Sequence, residues 1–220
     1  MYEVKINDLF SLTHDVKRII TEKPKNYNFS PGQATEVAIK QEKWENEKRP
    51  FTFTSLPEDD FLEFVIKSYR DHDGVTNHID NLVIGDSLLI DDPWGAIQYK
   101  GKGVFIAGGA GITPFIPIFK DLVKKGEIGG NKLIFANKTR KDVIMEPYFF
   151  DILDEDFISV LEKENLEGHE HGMINMEFLK KHINDFSQAF YVCGPDQMVK
   201  DISKFLENLG ADPEGIVFEK

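Results

Sequence analysis

Apolar residues fall into two textures along the chain. From Tyr2 to Gly101 they form short alternating or continuous runs, at residues 36–39, 51–54, 62–66 and 87–91. Turn residues separate these runs: Pro31-Gly32, Pro57-Glu58-Asp59-Asp60, Gly85-Asp86 and Asp92-Pro93-Trp94-Gly95. Short runs rich in Phe and aliphatic residues at this spacing predict an antiparallel sandwich or barrel. One helical stretch, residues 76–82, interrupts them. After Gly103 the period changes. Continuous apolar runs at 104–107, 133–136, 190–192 and 216–218, and the run at 157–161 interrupted only by Ser159, predict strands. Between them, spacing of three and four predicts helices over 113–125, 146–153, 176–183 and 196–209. Five strands alternating with four helices are the pattern of a parallel α/β sheet. A boundary at residues 101/102 divides the chain into two domains, 1–101 and 102–220.

Composition narrows the chemistry. The single cysteine excludes an internal disulfide, a cluster held by this chain's own thiolates and a multi-Cys structural zinc. With 26 Lys and Arg against 38 Asp and Glu, the net charge of −12 argues against nucleic acid as a partner. The longest apolar stretch, residues 104–118, is broken by glycine and proline, so no membrane span is expected, and no secretory leader is evident at the start. A cytoplasmic protein is the expectation. The Asp71-x-Asp73-Gly74 stretch lacks the ligand spacing of a calcium loop. His169-Glu170-His171 reads as a solvated, glycine-flanked loop rather than a metal site.

Three motifs carry candidate chemistry. Gly108-Gly109-Ala110-Gly111-Ile112-Thr113-Pro114 lies between a strand and a helix, where glycines allow close approach of a phosphate to a helix N-terminus. Its spacing departs from the dinucleotide fingerprint, because Pro114 stands where a third glycine would fall. Arg49-Pro50-Phe51-Thr52-Phe53-Thr54-Ser55 joins a guanidinium to an aromatic face and hydroxyls on one strand. In Asp73-Gly74-Val75-Thr76, Thr76 has the chemistry of an N-cap.

With Tyr191-Val192-Cys193-Gly194-Pro195 near the end, these motifs in this order resemble the ferredoxin–NADP(+) reductase superfamily, more narrowly its small flavodoxin-reductase-like members. The resemblance runs from about Phe29 to Glu219. It implies an antiparallel β-barrel flavin domain followed by an α/β parallel-sheet nucleotide-binding domain, with FAD as cofactor and NADP or NAD as co-substrate. It assigns Arg49 to the flavin phosphate, Pro50 and Phe51 to the strand packed on the isoalloxazine, and Thr52 to the neighbourhood of flavin N5. Ile66 and Lys67 join the flavin set, and Gly74, Val75 and Thr76 match the pyrophosphate segment. Gly109, Gly111, Ile112, Thr113 and Pro114 resemble the nicotinamide nucleotide's phosphate site. Cys193, Gly194 and Pro195 resemble the loop against the nicotinamide, with Cys193 positioning rather than attacking. Glu219 takes the place of an acidic residue near the flavin, and no terminal aromatic follows it to cover the ring. Lys138, Thr139 and Arg140 offer a 2′-phosphate site, which favours NADP(H).

The expected activity is hydride transfer from NAD(P)H to FAD, with electrons passed to an external flavodoxin, ferredoxin or oxygenase component. A reductase of free flavin and a non-catalytic flavin-binding module are the alternatives. Lys17, Arg18, Lys23 and Lys25 form the best linear basic patch for docking an acidic acceptor. The physiological acceptor and the oligomeric state are not specified by these residues.

Overall fold

The computed structural model describes residues 1–69, 74–95 and 97–218, the last by its backbone alone. Glu219 therefore lies outside the described residues, as do Asp71 and Asp73. The chain divides into two compact units. The first comprises residues 1–98 with 113–121, and the second residues 99–112 with 122–220.

The first unit is built on strands β1 (Tyr2–Ser11), β2 (Val16–Glu22), β3 (Ala34–Ile39), β4 (Arg49–Thr52) and β5 (Phe61–Lys67). Helix α1 (Val75–Ile79) and strand β6 (Ser87–Ile90) complete it. The six strands form one antiparallel sheet in the order β4-β3-β6-β1-β2-β5. A bridge between Phe53 and Phe64 joins its two edges, so the sheet is a nearly closed barrel. Closure removes most of the unpaired edge that an open sheet would expose. Val4, Ile6, Ile19, Val37, Ile39, Leu62, Phe64, Ile66, Leu88 and Ile90 fill the interior, while Val75 and Ile79 of α1 pack against it.

Neither β1 nor β2 stood out among the apolar runs. A register shift between Ile6 and Asp8 breaks the period of two, and Lys17-Arg18 places adjacent charges in β2. The structure also corrects the cap of α1. Gly74 is the N-cap, with no side-chain hydrogen bond, and Thr76 lies inside the helix. The strand read over 51–54 ends at Thr52. Beyond it the chain dives inward, and Phe53, Thr54 and Ser55 are all buried.

The linear basic patch does not survive folding. Lys17 pairs with Asp80 at 3.5 Å, and Lys23 donates to the carbonyl oxygens of Pro57 and Asp59. Arg18 donates from two nitrogens to one carboxylate oxygen of Glu63, at 2.8 and 2.6 Å. Only Lys25 of the four stays exposed without a side-chain partner among the described residues.

Glu63 is itself the most demanding group in this unit, being 1% exposed. Its second oxygen accepts from the Lys120 ammonium at 2.8 Å and from the Thr54 hydroxyl at 2.8 Å. A buried carboxylate is tolerable only when paired and hydrogen-bonded, and here two cations and a hydroxyl do so.

The second unit contains β7 (Gly103–Gly108), the end of α2 (Phe115–Lys125), β8 (Lys132–Asn137), α3 (Glu146–Leu153) and β9 (Phe157–Leu161). After these come β10 (Glu170–His171), α4 (Met176–His182), β11 (Ala189–Cys193), α5 (Asp196–Asn208) and β12 (Ile216–Phe218). The strands form one parallel sheet in the order β10-β9-β8-β7-β11-β12. On one face Val104, Ile106, Ile134, Val160, Phe190 and Val192 pack against Leu179 and Ile183 near α4 and Ile202 and Leu206 of α5. On the other face, Phe149 of α3 meets Phe135 and Phe157, with ring centroids 6.3 and 5.7 Å apart. Burial on both faces explains why these strands read as continuous apolar runs. The sheet has six strands rather than the expected five. At two residues β10 is too short to carry a period, and it converts part of the supposed solvated loop 169–171 into sheet. Among the described residues no helix is long and apolar enough to cross a membrane.

Removing the Glu63 carboxylate would leave Arg18 and Lys120 without their shared partner. Glu63→Ala is expected to lower stability by about 3–5 kcal/mol, read as a shifted urea midpoint at unchanged slope.

Candidate functional site

The parallel sheet locates the site before any side chain is considered. From β7 the chain steps to β8, β9 and β10 on one side, then returns to place β11 and β12 on the other. The strand order therefore reverses between β7 and β11. Ligands of open α/β sheets bind beyond the carboxyl ends of the strands at such a point, because the two loops there leave in opposite directions. The loop after β7 is the glycine turn, and the loop after β11 is Cys193-Gly194-Pro195.

The backbone brings these loops into direct contact. A Cβ on Gly111 would lie 2.3 Å from the Cys193 carbonyl oxygen and 2.5 Å from the Gly194 nitrogen. No side chain fits there, so Gly111 is required by packing as well as by any ligand. Gly109 has φ of +52°, the left-handed region that glycine enters without strain. Residues 109–112 form a 3-10 turn, and α2 begins at Phe115 rather than at the expected 113. Thr113 and Pro114 thus form the turn before the helix, and Ile112 is fully buried as its anchor. Pro195 caps α5, whose first residues close on the end of β7: a Cβ on Gly108 would meet the Met198 sulfur at 2.3 Å. The positive end of a 13-residue helix therefore lies beside the glycine turn. Backbone N–H groups and space without Cβ atoms suit a dinucleotide's phosphates.

Cys193 is 7% exposed and follows Tyr191 on one face of β11. The Tyr191 ring stacks on Phe105 with centroids 4.2 Å apart. Its hydroxyl accepts from the Lys100 N–H and donates to the Gly101 carbonyl, each at 2.8 Å. Burial pushes the Tyr191 hydroxyl above its ordinary pKa, so it stays a neutral donor that pins the segment leading into β7.

In the first unit, Arg49 lies at the exposed start of β4. It donates to the Lys48 carbonyl at 2.6 Å and faces Glu47 at 3.7 Å, an exposed pair that costs little to exchange for a phosphate. Pro50 is exposed, Phe51 is half-buried at the rim of the barrel core, and Thr52 is buried. Among the described residues, a Cβ on Gly74, at the start of α1 beside Val75 and Thr76, would meet nothing within 4 Å. Ile66 points into the barrel core, and Lys67 pairs with Asp15 at 2.8 Å. Burial raises the Asp15 carboxyl, but Lys67 and the Thr13 hydroxyl more than offset this and hold it below its usual value.

The loop after β8 holds the remaining candidates. Thr139 donates from both its N–H and its hydroxyl to the Asp142 carboxylate, which makes it a turn-capping residue and removes its hydroxyl from the phosphate set. Lys138 is exposed. Arg140 donates from Nε to Glu146 at 2.9 Å and from its backbone N–H to Glu164 at 2.7 Å. Glu146 enters α3 behind Met145, whose φ of +55° is a left-handed strain of about 1–2 kcal/mol. Its other oxygen meets His169 Nε2 at 2.7 Å. Thus His169, read as solvated, has a side chain only 4% exposed, and His171 is tied to the carbonyls of Leu161 and Glu164. Neither Glu146 nor Glu164 stood out in the sequence. They are six and 24 residues from Arg140, on other elements, and no local spacing links them.

A barrel with an exposed arginine strand, and a parallel sheet with a Cβ-free cradle at its switch point, together define a two-domain flavin- and nicotinamide-binding class. Two family models match in that order: "FAD-binding domain" over residues 1–103 and "Oxidoreductase NAD-binding domain" over residues 105–204. NADH-cytochrome b5 reductase 2 of Lodderomyces elongisporus is 34% identical over 179 residues, covering 73% of this chain and 59% of that protein. The ferredoxin–NAD(P)(+) reductase component of the naphthalene 1,2-dioxygenase system of Pseudomonas putida is 25% identical, covering 94% and 64%. The chain spans about three fifths of the length of these relatives. In fold it matches the FAD/NAD-binding domain of nitric oxide dioxygenase from Vibrio cholerae O1 biovar El Tor. That match has a TM-score of 0.88 at 19% identity, covering 99% of this chain and 97% of the other. The chain belongs to the ferredoxin–NADP(+) reductase superfamily, whose cofactors are FAD and a nicotinamide nucleotide.

Gly111→Ala is expected to reduce kcat/KM for the nicotinamide nucleotide at least 100-fold while leaving flavin content unchanged. Visible absorbance of the purified variant and steady-state kinetics check the two halves of this expectation.

Proposed function

We propose that the protein is an FAD-dependent oxidoreductase that takes a hydride from NAD(P)H and delivers electrons singly to an acceptor outside the chain. The observation that carries this reading is the contact of Gly111 with Cys193 and Gly194 at the switch point of the parallel sheet. It supports a single cradle shared by the phosphate turn and the nicotinamide loop. In this reading residues 1–101 are the flavin domain and residues 102–220 the nucleotide domain. FAD, when bound, supplies the two-electron site for hydride and the one-electron outlet that nicotinamide lacks.

The protein's own part is binding and alignment. Arg49 holds a flavin phosphate by charge-assisted hydrogen bonds, and the backbone of Gly74, Val75 and Thr76 takes the pyrophosphate. Phe51 packs on the ring, keeping the apolar stacking face without a phenolic hydroxyl. Thr52, buried beside it, donates toward flavin N5. Gly109, Gly111, Ile112, Thr113 and Pro114 hold the phosphates of the nucleotide, and Cys193, Gly194 and Pro195 orient the nicotinamide. Cys193 needs no covalent role, since a hydride passes directly between aligned rings. Glu219 is retained in this set only on the resemblance.

Lys138 and Arg140 receive the 2′-phosphate of NADPH, without Thr139. The two terminal amino groups of Arg140 have no partner among the described residues, and its side chain is 59% exposed. The Lodderomyces relative is named for NADH, so these two cations are what favours NADPH on this chain. The acceptor is an electron carrier, a flavodoxin, a ferredoxin or an oxygenase component. The names of relatives that serve cytochrome b5 or a dioxygenase system support this class.

The purified protein is expected to be yellow, or to become so with FAD, and to bleach anaerobically with NADPH faster than with NADH. A protein that stays colourless with FAD would sink the proposal, and bound flavin that neither nucleotide bleaches would leave a binding module. Arg49→Ala is expected to weaken FAD retention about 10–100-fold, from the roughly 1.5–3 kcal/mol of a charged hydrogen bond. Equilibrium dialysis against FAD gives the value.

A further inference from the structure

We propose that Glu146 and His169 are positioning residues for coenzyme selectivity, fixing the Arg140 guanidinium so that its outer edge meets the phosphate-bearing end of the nucleotide. This inference rests on the assignment of Lys138 and Arg140 to the 2′-phosphate.

Arg140 sits on a short loop whose side chain is mostly solvated, and such an arginine samples many rotamers. Here the guanidinium is tied by Nε alone to Glu146 at 2.9 Å, which leaves the NH1 and NH2 edge as a planar fork. The carboxylate that ties it is buried, 8% exposed, and is shared. One oxygen faces Arg140 and the other faces His169 Nε2 at 2.7 Å. The His169 Nδ1 lies 3.1 Å from the Glu167 carbonyl oxygen, and the ring meets Phe150 edge-on, with centroids 6.4 Å apart. Glu146 is thus held through both of its oxygens, one by Arg140 and the other by His169.

The backbone of the same loop is clamped independently. The Arg140 N–H donates to Glu164, and Glu162 and Lys163 donate to the carbonyls of Asn137 and Lys138 at 2.9 Å each. A guanidinium fixed at its Nε loses less freedom on binding a phosphate than a free one. Glu146 alone would cancel much of the Arg140 charge. A second donor on the same carboxylate draws part of its negative charge away and leaves the outer edge cationic.

The test measures kcat and KM for NADPH and NADH in Arg140→Ala, Glu146→Gln, His169→Ala and His169→Gln, with flavin content as a check on folding. Arg140→Ala is expected to lower kcat/KM for NADPH about 10–100-fold and to change that for NADH less than threefold. Glu146→Gln and His169→Ala are expected to raise KM for NADPH several-fold at unchanged kcat, with NADH unaffected and His169→Gln partly restored. Adding Glu146→Gln to Arg140→Ala is expected to change the NADPH/NADH ratio no further. If Arg140→Ala leaves the ratio unchanged, the 2′-phosphate assignment falls, and this inference with it. If Arg140→Ala shifts the ratio but Glu146→Gln and His169→Ala leave it unchanged or favour NADPH, only the positioning role is overturned. If Glu146→Gln loses its fold, His169→Ala, which keeps both Glu146 and Arg140, decides between the same outcomes.

Discussion

The site depends on a place where no Cβ can exist. At the reversal of the parallel sheet, the loops after β7 and β11 touch backbone to backbone, with Gly111 against the carbonyl of Cys193 and the nitrogen of Gly194. Such an approach exposes N–H groups and a helix end without side chains in the way. It also makes the two loops one structure, so that a change in either moves both. The departure from the usual glycine fingerprint matters little here. Pro114 can stand where a third glycine would, because α2 starts beyond it and the intervening residues turn as a 3-10 segment.

Each unit solves the problem of buried charge in a similar way, by sharing one carboxylate between two donors. In the barrel, Glu63 joins Arg18 and Lys120. In the nucleotide unit, Glu146 joins Arg140 and His169. Neither arrangement is a simple gain in stability, since desolvating charges offsets much of their attraction. What they supply is geometry, because a carboxylate with both oxygens engaged leaves its partners few alternative positions. In the first case the fixed partners are parts of the barrel wall. In the second, one fixed partner is a surface arginine that is otherwise free to meet an anion.

Much of this was legible from the chain alone. The change of hydrophobic period at Gly103 distinguishes an antiparallel barrel from a parallel sheet, because side chains alternate in a strand that is solvated on one face and run on in a strand that is buried on both. Strands at 62–66, 104–107 and 133–136, and the helix at 146–153, all form. The glycine turn and the Cys193 loop stand out because glycine and proline report directly on backbone needs. The failures share a cause. Strand β1 was hidden by a bulge and β10 by its length of two residues. In each, partners elsewhere in the chain override the local pattern.

The sequence by itself determined the two-unit organisation, the family and, through it, FAD and a nicotinamide nucleotide as cofactors. Each of these is written in residues close together along the chain. Only the tertiary structure decided how the polar side chains are spent. It assigned Arg18 to Glu63, Lys67 to Asp15, Thr139 to Asp142 and His169 to Glu146, so that a docking patch disappeared and a supposed solvated histidine became part of a buried chain. Hydrophobic period and glycine placement are local constraints on the backbone. The partner of a charged or hydrogen-bonding side chain is set by whatever the fold brings within about 3 Å, and that distance has no counterpart in separation along the sequence.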